Sequence, residues 1–81
     1  MKFNDIVEDI LNFVSKEDKE YLISFKESEL IKLHSSFGRN IRNKYNLWHK
    51  ELDDEKYKGQ HPDDISMEII HKVWKELKND R

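Results

Sequence analysis

The sequence has no cysteine. Disulfide staples, thiolate metal sites and a cysteine nucleophile are therefore excluded. It has one proline and two glycines in 81 residues, and no β-branched runs. So few breakers and so little strand signal favour helices joined by short connections. No apolar run approaches the roughly 18 residues that a membrane span needs. The start, Met1-Lys2-Phe3-Asn4-Asp5, turns polar at once, and no signal peptide fits there. The expected location is the cytoplasm. A phosphate-cradling glycine loop and a nucleophile elbow are both missing.

What is present is ordered along the chain. Hydrophobic residues make up 36% and charged residues 40%, and the apolar share falls below the usual ~45–50%. The apolar residues recur in order along the chain, and four Phe, three Tyr and two Trp are present; disordered chains lack both features. The length fits one domain, residues 1–81. A domain this short buries only about 60% of its unfolded surface, so its core is thin. Without staples it must rely on helix packing or on a partner subunit.

The apolar periodicity predicts an all-α fold, a compact bundle of four to five short helices. Phe3, Ile6, Val7, Ile10, Leu11 and Val14 mark one face of a first helix over about Asn4–Val14, with Asn4 as N-cap. Ser15 with Asp18 forms a capping box for a second helix from Lys16 to about Ser24, which buries Leu22 with Ile23 or Phe25. Ser28 caps a third helix, Glu29 to about Asn43, whose inner stripe is Leu30, His34, Phe37, Ile41 and Tyr45. Arg42 flanks this stripe, Arg39 points away, and Gly38 marks the close approach of another backbone. Asn46 ends the helix in a left-handed conformation. Leu47-Trp48 then forms an apolar plug, and Leu52 and Tyr57 place a turn or two of helix in the charged run 49–60. The last helix begins with Asp63 as N-cap or with Pro62 in its first position. It buries Ile65, Ile69, Ile70, Val73, Trp74 and Leu77, with Ser66 near the centre of the stripe.

Leu-Ile-x-Leu-His at 30–34, Gly38, Ile41-Arg42-Asn43, Leu47-Trp48 and His61-Pro62-Asp63-Asp64-x-Ser66 occur in that order before an amphipathic helix. This pattern resembles a family of small bacterial and phage-associated helical domains of unknown function. Ile65 stands where that family usually has Met. The resemblance covers a little over half the chain, supports the helical fold and implies no activity.

His34, Arg42, Asn43, Asp63, Asp64 and Ser66 are polar residues on or beside the apolar stripes of two helices. If those helices pack face to face, the cluster forms a polar clasp in which Arg42 bridges to Asp63 or Asp64. Arginine suits that role because its planar fork bonds carboxylates. The same residues could instead form a ligand or partner site. Catalysis is disfavoured: Ser66 has no evident base, and a chain this small rarely encloses a pocket that shifts pKa values. No cofactor is expected. His61, Asp63 and Asp64 are close in sequence, but the spacing to His71 is not that of a helical zinc motif, so no metal is expected either.

Charge is segregated. Residues 1–29 carry four Lys and eight acids; residues 30–50 carry Lys32, Arg39, Arg42, Lys44 and Lys50 with no acid; residues 51–81 carry six basic and nine acidic residues. The leading reading is a non-catalytic protein-interaction module of the regulator, adaptor or inhibitor type, with a protein partner or self-association. The first helix, with Asp5, Glu8 and Asp9 outward, offers one partner surface. The alternative is a nucleic-acid-binding protein using Lys32, Arg39, Lys44 and Lys50, with Tyr45 and Trp48 interleaved for stacking. Against it stands the net charge of −2, and both aromatics read more naturally as core.

Overall fold

A computed structural model describes residues 1–50 and 52–79. It contains α1 (Phe3–Phe13), α2 (Lys16–Ile23), a 3₁₀ segment (Glu27–Leu33), α3 (Phe37–Lys44), a 3₁₀ turn (Glu55–Tyr57) and α4 (Pro62–Asn79). The fold is all-α, with no strand among the described residues. α4 is the axis, and α1, α2, α3 and the 3₁₀ segment all pack against it. Its 18 residues span about 27 Å at ~1.5 Å per residue, most of the 33 Å length of the molecule. Pro62 occupies the first helical position, with Asp63 and Asp64 in the positive first turn. Ile65, Ile69, Ile70, Val73 and Leu77 are buried as the stripe requires; Trp74 is half-buried, and its indole donates to the Phe25 carbonyl at 3.1 Å.

α1 begins one residue before the expected Asn4 because its caps come from elsewhere. The Asp5 carboxylate accepts from the Lys2 backbone N–H at 3.2 Å, and the Asp54 carboxylate accepts from Phe3 N–H at 2.7 Å. That second bond, with Phe3 stacked on Tyr57 at 4.7 Å, ties the charged run to the first helix. Leu52 and Tyr57 are buried, and the described residues of the run hold one helical turn, within the expected one or two. α2 starts as expected, with Ser15 Oγ accepting from Asp18 N–H at 3.0 Å.

The long third helix is not formed as one piece. It divides into the 3₁₀ segment, a turn at 34–36, and α3. The reason lies in packing against α4: Leu30 and Leu33 are both buried, a three-residue spacing that suits a 3₁₀ helix, whereas Ile31 is left 64% exposed. Glu29 accepts from Lys26 N–H at 2.9 Å, so the cap is Lys26, two residues ahead of Ser28, and the segment begins at Glu27. α3 closes with a Schellman motif. Asn46 has φ +55°, Leu47 N–H bonds the Arg42 carbonyl at 3.0 Å and Asn46 N–H bonds that of Asn43 at 3.4 Å. Leu47 is buried, but Trp48 is 51% exposed, so the expected apolar plug is one residue, not two.

Candidate functional site

Among the described residues, Arg42 and Ser66 are the buried polar side chains. The division of the third helix explains how they meet. Gly38 lies one turn before Arg42, and a Cβ there would stand 3.0 Å from Arg42 Nη1 and 3.4 Å from the Leu33 carbonyl. The close approach expected at Gly38 is thus mainly that of its own helix's arginine. Arg42 Nη1 donates to Ser66 Oγ at 3.0 Å, and Ser66 Oγ donates in turn to the Asp63 carbonyl at 2.9 Å. Arg42 Nη2 donates at 3.3 Å to the His34 carbonyl, which sits at the break between the 3₁₀ segment and α3.

Arg42 Nε lies 3.3 Å from Asp63 Oδ1, close enough for an ion pair, yet it is buried without an aligned hydrogen bond. The contact is therefore one of charge rather than of a bidentate fork. Asp63 Oδ2 faces two imidazoles, His34 Nε2 at 3.5 Å and His61 Nδ1 at 3.6 Å. His61 Nδ1 accepts the Asp63 backbone N–H at 3.1 Å, so its ring proton belongs on Nε2 and it gives Asp63 no hydrogen bond. Of the six expected residues, His34, Arg42, Asp63 and Ser66 come together. Asn43 and Asp64 are exposed and lie outside the cluster. His61, which the sequence left outside the cluster, stands exposed at its edge beside Asp63.

Gly38→Ala tests the fit around Arg42. Alanine gains roughly 1 kcal/mol of helix propensity, but a guanidinium held by several partners cannot move aside cheaply. The expected outcome in urea unfolding is a net loss of about 1–2 kcal/mol. A stabilised variant would show that the guanidinium is loosely held.

The four basic residues of segment 30–50 are dispersed in role. Lys32 lies 3.6 Å from Glu29 and Lys44 lies 3.8 Å from Asp9. Arg39 is exposed on α3, and Lys50 is exposed beyond it. Asp9, expected on the outer side of α1, is half-buried and accepts the Tyr45 hydroxyl, while Asp5 and Glu8 remain exposed. Burial, and then the Asp9 carboxylate, push the Tyr45 phenol above its ordinary range. The unfolded chain releases this proton as pH rises past ~10 while the fold retains it, so stability is fully present below that pH and falls above it. An ultraviolet titration should show a late-ionising phenol that disappears in Tyr45→Phe. Identical profiles for the two proteins would contradict the Tyr45–Asp9 bond.

Between the 3₁₀ segment and α4, His71 Nε2 lies 2.6 Å from Glu27 Oε2. That bond, more than the nearby charges of His71 and Lys75, lowers the Glu27 pKa. The Lys26 backbone N–H does the same for Glu29. No serine hydroxyl bonds His71 among the described residues. Nor, among them, are three His, Asp or Glu side chains arranged to hold a metal ion, and no helix is long and apolar enough to cross a membrane.

Neither curated proteins nor solved structures give a match to the chain. A protein-family profile matches residues 2–77, nearly its whole length, including α1, which the residue pattern from Leu30 to Leu77 left outside. The chain belongs to that family, the domain of unknown function DUF6794.

Proposed function

We propose that this domain is a protein-interaction module, without catalytic activity of its own, that receives an amphipathic segment of a protein partner in the groove between α1 and α3. Phe13 carries this reading. It is 74% exposed at the lip of a groove lined by Ile10, Val14, Phe37 and Ile41. The groove holds about 170 Å³. That is below the ~300 Å³ at which small-molecule sites begin, but it admits one large apolar side chain. Lys44 lies 5.3 Å above the Phe13 ring, and Arg39 is exposed on the same helix. The fitting partner therefore presents an apolar anchor with a carboxylate on its α3 side, where Lys44 stands, and away from Asp18 of α2. A small bacterial or phage-associated regulator, adaptor or inhibitor would use such a surface.

The test is recovery of the tagged chain from its native cells as wild type, Phe13→Ser and Lys44→Glu, with circular dichroism to verify that all three fold. The expected result is a protein held by the wild type and lost from both variants, with affinity for that purified protein reduced about tenfold or more, ~1.4 kcal/mol. Equal retention by both variants would overturn the reading. Recovery of nuclease-sensitive material in place of a protein would also overturn it, in favour of nucleic-acid binding through the basic residues.

A further inference from the structure

Trp48 is out of place for a core residue, and its surroundings explain how it is held. Its indole meets the His61 ring edge-on, with centroids 5.4 Å apart and an interplanar angle of 85°. His61 is itself fixed by the Asp63 N–H on its Nδ1 at 3.1 Å, and Asp63 is 3.3 Å from the buried Arg42. A half-exposed tryptophan is thus braced, through His61 and Asp63, against the interior of the domain. An apolar platform held in one orientation loses little conformational freedom when a ring stacks on it.

Beside this platform lies a pocket of about 310 Å³, within the ~300–1,000 Å³ range of small-molecule sites. Its apolar walls include Tyr57, Pro62 and Ile65, and its polar lining includes His49 and Lys50. No carboxylate lines it among the described residues, although the chain carries 17 Asp and Glu. The clefts beside Phe13, Ile31 and Phe3 each include at least one carboxylate residue. Its described lining therefore combines aromatic and apolar surface with the Lys50 ammonium and the His49 ring.

We propose that the Trp48 pocket is a binding site for a small planar aromatic carboxylate, whose ring packs on Trp48 and whose anion faces Lys50 and His49. This site is separate from the groove at Phe13 and does not depend on it. It also accounts for the convergence of Leu47-Trp48 and His61-Pro62, which the interaction surface leaves unused.

The test follows the two indole N–H signals of the ¹⁵N-labelled full chain by nuclear magnetic resonance, with Trp48→Phe assigning them. Indole-3-acetate is the probe; indole-3-acetamide, uncharged, and tryptamine, cationic, are the controls. Indole-3-acetate should move the Trp48 signal saturably and leave that of Trp74 in place. Lys50→Glu should weaken binding about tenfold, and tryptamine should bind the wild type at least that much more weakly. His61→Ala, which removes the brace but neither binding group, should also weaken binding while the spectrum remains that of a folded protein. Absence of a shift at millimolar probe, equal binding of tryptamine, or equal movement of both tryptophans would overturn the proposal.

Discussion

Arg42→Ala is expected to cost about 2–4 kcal/mol of folding stability, measured by urea unfolding. The side chain is 7% exposed and holds Ser66, the His34 carbonyl and Asp63 together. Its removal leaves a cavity beside Gly38, and leaves the buried Ser66 hydroxyl and the part-buried His34 carbonyl short of a donor. The Asp63 carboxylate is 35% exposed, so water takes up part of its lost partner, and the expected cost stays below that of a fully buried pair. Double-mutant cycles separate the two aspartates. Arg42 with Asp63 should show a coupling of about 1 kcal/mol or more, and Arg42 with Asp64 should be additive within about 0.5 kcal/mol. Additivity in both cycles would mean that the contact carries no energy. If Arg42→Ala kept full stability and lost a partner, the cluster would be a binding site instead.

Ile69→Ala should be still more damaging, at about 3–5 kcal/mol. Ile69 is fully buried on α4, the helix against which every other main element packs. A chain of this length has roughly 4–12 kcal/mol in total, so the loss removes a quarter of it or more, and the urea midpoint should fall steeply. Ile31→Ala is the contrast. Ile31 is 64% exposed on the 3₁₀ segment, and its loss should stay within about 0.5 kcal/mol. A large loss at Ile31 would mean that the third helix continues through the turn at 34–36 and carries its apolar side inward.

α4 was legible in the sequence, apart from the choice between its two starts and the half-buried Trp74. Its stripe is long and regular, its start is marked by His61-Pro62-Asp63-Asp64, and local rules suffice for both. The Ser15 cap and the left-handed Asn46 were legible for the same reason, since each depends on bonds within a few residues. The site was legible in part. A buried stripe edge demanded a partner for Arg42, but the choice of Asp63 over Asp64 depends on the rotation of α4 against α3, which no local pattern encodes.

What the sequence determined by itself is the helical class, the inward face of α1 and α4, and the need to pair the Arg42 charge beside the third helix's apolar stripe, because side-chain periodicity and the cost of unpaired buried charge act whatever the topology. Tertiary structure decided the rest. The third helix divides because Leu30 and Leu33 must both reach α4. α1 starts early because Asp54 reaches it from 51 residues away. Asp9 turns inward to Tyr45, and Trp48 is braced on the surface by His61. Each of these joins residues far apart in the chain, and such contacts exist only once the helices have docked.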